Sequence, residues 1–176
     1  MNALLLEGKE KLVYTDVNEP ESVGERPVLV RVAAVGVCGS DIPRDAGKAY
    51  HYPLILGHEF SAVVEEAPPG SRFHSGDRVA VYPLIPNLRD PLARIGEHAV
   101  SSDYDYFGSR RHGAFAERLI VPEDNLVPVP DDVSLVHAAV VEPAAVSLHA
   151  VLKCTLPTHA TALAIGGGPI GAFATR

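Results

Sequence analysis

Tryptophan is missing from this chain, methionine occurs once, and only two cysteines, Cys38 and Cys154, stand among 176 residues. So little cysteine argues against a disulfide framework and fits a reducing compartment. Positive charge is scarce too, with 15 Lys and Arg against 22 Asp and Glu and a formal net charge of −7. Phosphate neutralisation needs clustered cations, so no nucleic-acid partner is expected. The nearest thing to a basic run, Arg110-Arg111-His112, is too short to change that. No apolar stretch reaches the roughly 18 residues of a membrane span. The opening residues Met1 to Glu10 carry no charged region ahead of their apolar run, so no signal peptide is read there. The expectation is a cytoplasmic protein with no membrane partner.

What the chain does have is 47% hydrophobic residues, enough for a real core, and fifteen Gly and fifteen Pro, which suit short strands joined by frequent turns. An opening hairpin is expected from Met1–Leu6 and Leu12–Asp16, turning at Glu7-Gly8-Lys9. The β-branched run Val28–Val37 is the clearest strand, followed by a short helical turn over Gly39–Asp45. Phe60–Glu65, Asp77–Val81 and Ala114–Val121 also read as strands. Beyond Ser134 the pattern becomes helical, with a buried helix over Ser134–Val141 and a second one over Ala144–Leu152, Pro143 taking its first position. The apolar run Thr161–Ile165 reads as a strand leading into Gly166-x-Gly168-x-x-Gly171, the strand–turn–helix order of a dinucleotide-binding unit.

Three pieces could carry chemistry. Cys38 follows the clearest strand within Gly36-Val37-Cys38-Gly39-Ser40-Asp41. His58-Glu59 lies twenty residues on, and Glu142 much further along. Thiolate, imidazole and carboxylate are all zinc ligands, and a catalytic zinc site needs three of them with a fourth position open. Each also has a plain reading: Cys38 as a small core residue, His58-Glu59 as surface, and Glu142 as an acid near a helix N-terminus. Spacing alone leaves the two readings level.

The motifs Cys38-Gly39-Ser40-Asp41, Gly57-His58-Glu59-Phe60 and Glu142-Pro143-Ala144-Ala145-Val146-Ser147-Leu148-His149-Ala150 resemble the zinc-dependent medium-chain alcohol dehydrogenase family. Ile42-Pro43-Arg44, Tyr52 to Phe60 and Tyr104 to Arg111 bring the likeness nearest to its sorbitol and galactitol-1-phosphate 5-dehydrogenase-like members. The resemblance implies a mostly β fold with some α. Residues 1–155 would form a GroES-like β-barrel catalytic domain, and residues 156–176 the first strand and turn of a Rossmann domain. It implies a metal site of Cys38, His58, Glu59 and Glu142, the two acids exchanging with water. Ser40 would pass the proton, and Asp41 would orient His58. Gly166, Gly168 and Gly171 would be cofactor contacts. The reaction implied is oxidation of a secondary alcohol of a polyol or polyol phosphate to a ketone, with one catalytic zinc and NAD or NADP in a complete enzyme. A homo-oligomer is expected. The chain by itself is expected to bind zinc without turning over, because the rest of a nucleotide-binding unit lies outside these residues.

Relatives often carry four cysteines that hold a structural zinc; the matching positions here are Asn87, Asp90, Ala93 and Ser101, so that zinc is expected to be absent and residues 87–103 mobile. Cys154 is read as a buried or partly buried thiol and His149 as packed, while Arg44 and Tyr50, close enough to the zinc motif to touch substrate, are read rather as surface. The competing readings are a non-catalytic GroES-like binding or assembly module and, more weakly, a zinc-free quinone reductase relative.

Overall fold

The computed structural model describes residues 1–176. The β-branched run forms strand β3 (Pro27–Gly36), in which Val28 and Val30 are fully buried. It pairs antiparallel with β5 (Glu59–Glu66), whose Phe60, Ala62 and Val64 face the same core. Around this pair the sheet is completed by β6 (Arg78–Val81), β9 (Arg118–Pro122) and β10 (Leu126–Pro128), in the order β10-β6-β5-β3-β9. Phe60 meets Phe107 edge to face at 6.4 Å between ring centroids, inside a core of mainly valine and phenylalanine. Valine suits this setting because its branched side chain packs well on a pleated surface.

The opening hairpin is β1 (Asn2–Gly8) and β2 (Lys11–Asp16), and β4 (Leu54–Ile55) pairs with β1 on its other side. Its turn falls at Lys9-Glu10 rather than at Glu7-Gly8-Lys9, with Glu10 in the left-handed region at φ 53°. A small ribbon of β7 (Leu84–Ile85) and β8 (Asp105–Tyr106) lies beside the larger sheet in sequence order. The strand expected over Ala114–Val121 begins only at Arg118. Residues 113–115 instead donate their amides to the carbonyls of Ile55, Gly57 and Leu56.

The helices are shorter and more exposed than the apolar pattern suggests. Asp41–Pro43 forms α1, as the helical turn after β3. The run after Ser134 gives only α3 (Leu135–Ala138), capped by the Ser134 hydroxyl accepting from the His137 amide, and Val136 is largely exposed. Helix α4 (Val141–Lys153) begins two residues before Pro143. His149 and Cys154 are exposed, against the packed positions expected of them. Thr161–Ile165 does not form a strand: no neighbouring strand pairs with it, and Leu163 and Ile165 are almost fully exposed. A strand exists only by its ladder of hydrogen bonds. The turn after it does form, leading into α5 (Pro169–Ala174), which is tied to α4 by the buried Ser147 hydroxyl donating to the Ile170 carbonyl at 2.7 Å. No helix is long and apolar enough to cross a membrane.

Residues 87–103 are organised around Asp90 rather than around thiolates. One Asp90 carboxylate oxygen accepts from the Leu92 amide at 2.7 Å, capping α2 (Pro91–Arg94), and the other accepts from the amide and hydroxyl of Ser102 at 2.9 and 2.5 Å. Ala93 and Ser101, at two of the former ligand positions, are buried. The Ser102 hydroxyl and amide, with the Leu92 amide, hold the Asp90 carboxyl down at about 2. Because the folded value lies below the unfolded one, the carboxylate stabilises the fold above about pH 4 and ceases to do so as the pH falls toward 2. Asp90→Asn should therefore lower the denaturation midpoint at neutral pH. The gap between variant and parent should close between about pH 4 and pH 2 in a urea series.

Candidate metal centre

The register of β3 against β5 places Gly36 opposite Glu59. Cys38 follows the end of one strand and His58 precedes the start of the other, so residues twenty apart in sequence meet at one corner of the sheet. Gly57 makes the corner possible: it adopts φ +92°, and a Cβ there would meet the Phe115 ring at 2.9 Å and its amide at 3.0 Å. Gly36 leaves the room that the Glu59 side chain occupies, since a Cβ would come within 2.6 Å of Glu59 Oε2.

One ligand atom each from Cys38, His58 and Glu59 lies within 4.8 Å of the other two. His58 and Glu59 are buried and Cys38 is half-buried. Burial pushes the Cys38 thiol up, the neighbouring Glu59 adding to it, and pushes His58 down toward its neutral form against the opposing pull of Asp41. Asp41, itself buried and raised by that burial, accepts from the Cys38 amide at 3.0 Å, and its Oδ1 stands 3.6 Å from His58 Nδ1. That nitrogen is buried and has no hydrogen-bond partner. Ser40 Oγ lies 3.5 Å from the other ring nitrogen, Nε2.

Glu142, in the first turn of α4, does not join the three within that distance. Burial and the nearby Glu59 raise its carboxyl. It accepts instead from the Tyr106 hydroxyl at 3.3 Å. Gly166, Gly168 and Gly171 gather separately, the first two in the turn before α5 and Gly171 within that helix; Gly166 has φ +105°, and a Cβ on Gly171 would strike its carbonyl. Two partners were not legible from the motifs. Tyr106 stands 36 residues from Glu142 in sequence. Arg44, read as surface, has a mostly buried side chain that donates to the carbonyl and hydroxyl of Ser40, both at 2.8 Å. Tyr50 is exposed as expected.

Residues 24–131 match the alcohol dehydrogenase GroES-like domain. The chain belongs to that family. This GroES-like chain is 38% identical over 159 residues to galactitol 1-phosphate 5-dehydrogenase of Escherichia coli K12, covering 89% of the chain and 46% of that protein. It is 34% identical over 157 residues to sorbitol dehydrogenase of Arabidopsis thaliana, covering 85% and 43%. The crystal structure of galactitol-1-phosphate dehydrogenase from Escherichia coli superposes with a TM-score of 0.91 at 34% identity, over 99% of this chain and 51% of that one. The chain thus spans about half the length of the relatives it matches. They are zinc-dependent medium-chain dehydrogenases, and the mostly β fold expected from the resemblance is the fold observed.

The close approach of Gly36 to Glu59 yields a specific outcome. Gly36→Ala should fold with a stability within about 1 kcal/mol of the parent, because the atom it displaces is the end of a flexible side chain. Its affinity for a divalent metal should fall by about tenfold in a chelator competition.

Proposed function

We propose that this chain is the catalytic, zinc-holding part of an NAD(P)-linked dehydrogenase that oxidises a secondary alcohol of a polyol or polyol phosphate to a ketone. The observation that carries this reading is the convergence of a thiol, an imidazole and a carboxylate on one buried corner, with a second carboxylate close by. The donor set fits zinc: a thiolate and one carboxylate balance a dication, and neutral imidazole is the form that burial already favours at His58. His58 Nε2 lies beside the Ser40 hydroxyl, while the unpartnered Nδ1 faces Asp41. This is the polarity required of a ligating histidine backed by a carboxylate.

In this reading Cys38, His58 and Glu59 hold the metal, and Glu142 is the acid that exchanges with water. When bound, zinc would lower the pKa of an alcohol oxygen toward about 7, so that the hydroxyl proton can leave at neutral pH. The chain's own residues do the rest. Ser40 receives and passes that proton; with Arg44 donating to its oxygen, the serine's own hydrogen is free to turn outward. Asp41 holds the His58 ring in one orientation from behind. Burial of His58 and Glu59 strengthens each charge–dipole contact there, while exposed Ser40 leads to solvent. A nicotinamide, when bound, would accept the hydride, and the backbone at Gly166, Gly168 and Gly171 would contact its pyrophosphate.

The division follows the same logic, with residues 1–155 as the metal-holding domain and 156–176 as the start of the nucleotide-binding one. A single zinc per chain is proposed, because Asn87, Asp90, Ala93 and Ser101 offer no thiolate and the polar three bond to neighbouring residues: Asn87 to the Arg89 amide, Asp90 to Leu92 and Ser102, and Ser101 to the His98 carbonyl. The relatives named for galactitol 1-phosphate and for sorbitol support a polyol or its phosphate as substrate.

Elemental analysis tests this directly. Protein purified without a metal-affinity step should carry about one zinc per chain, and Cys38→Ala should carry almost none while remaining folded. A folded parent free of zinc, or a Cys38→Ala variant that keeps it, would overturn the proposal.

A further inference from the structure

Apart from Asp41 behind the His58 ring, two carboxylates lie near the metal corner, yet only Glu59 belongs to the tight cluster. Charge alone does not explain the choice. Glu59 and Glu142 repel each other, and a dication between them would draw both. The structure shows what separates them.

The Tyr106 hydroxyl donates to Glu142 Oε1 at 3.3 Å, and the same ring meets the His58 ring edge to face at 5.7 Å between centroids. The phenol is held from behind. Tyr106 pairs with Leu84 in the β7–β8 ribbon, and its carbonyl accepts from the amides of Ser109, Arg110 and Arg111.

We propose that Tyr106 is a positioning residue that tethers Glu142 apart from Cys38, His58 and Glu59, and so keeps one coordination position of the metal open. The inference rests on the zinc reading above and deepens it. With Cys38 as thiolate and Glu59 bound, a dication is neutralised; a second carboxylate would make the site net negative and weaken it as a Lewis acid. The tether prevents this without removing the acid, which stays near enough to be exchanged in.

Cobalt(II) is the probe, because its visible bands report coordination geometry. Tyr106→Phe releases Glu142, which should then bind the metal. Its cobalt bands should shift as a carboxylate oxygen takes the position held by water, and its zinc dissociation constant should fall by about tenfold in chelator competition. Both changes should disappear in Tyr106→Phe/Glu142→Gln. Glu142→Gln alone should keep the parent's cobalt spectrum, since the acid it replaces is not bound; this variant keeps the question answerable even where Tyr106→Phe does not fold. The proposal is overturned by a Tyr106→Phe variant with the parent's spectrum and affinity, or by changes that persist in the double variant and so arise from the His58 ring. An altered spectrum in Glu142→Gln overturns it equally. A parent chain that takes up no cobalt overturns the zinc reading itself, and this inference with it.

Discussion

Everything at the metal corner depends on the alignment of two neighbouring strands. Gly36 stands opposite Glu59 because β3 and β5 pair in one register, interrupted by irregularities between Leu29 and Val30 and between Val32 and Ala34. A slip of one residue would turn every side chain of β5 to the opposite face. Phe60 and Val64 would then leave the core, and Glu59 would leave the corner. The same apolar burial that stabilises the sheet therefore fixes where the acid points. Fold and site are not separable here, because residues 58, 59 and 60 serve the metal corner and the core in immediate succession.

The second constraint is electrostatic. Burial drives Cys38, His58 and Glu142 each toward its uncharged form. A corner that suppresses charge in this way has compensation to gain from a cation, and it would release protons on taking one up. Asp41 orders the site from beneath by accepting from the Cys38 amide and facing the His58 ring. Arg44 closes the outer side through Ser40. The residues 87–103 show that a lobe of this kind can be held by a carboxylate capping a short helix and gripping a distant serine.

Much of this was legible in the sequence where periodicity and burial agree. The run from Val28 became β3 within one residue at each end, since alternating valines on a half-covered sheet have one stable placement. The candidates Cys38, His58 and Glu59 could be named from motif order, and they do meet. The helical part was less legible. Apolar residues at nearly every position from Ser134 suggested a buried helix, but much of that surface is exposed, and composition cannot say which apolar faces find a neighbour. Thr161–Ile165 has the residues of a strand, but strand identity belongs to a pair of segments rather than to one. Arg44 and Tyr106 escaped for a related reason. Each acts through a contact that only the folded chain creates, one with a serine four residues back and the other with an acid 36 residues on.

The short bond from Ser147 to the Ile170 carbonyl has a mechanical side. Helix α4 carries Glu142 in its first turn and Ser147 just over one turn later, about 7.5 Å along the axis. The acid beside the metal corner and the glycine turn thus hang on one short rod. Any tilt of that rod shifts both together, in a ratio set by its pivot. The helix is a lever, and the serine hydroxyl at its middle is the pin that couples it to α5, just past the turn.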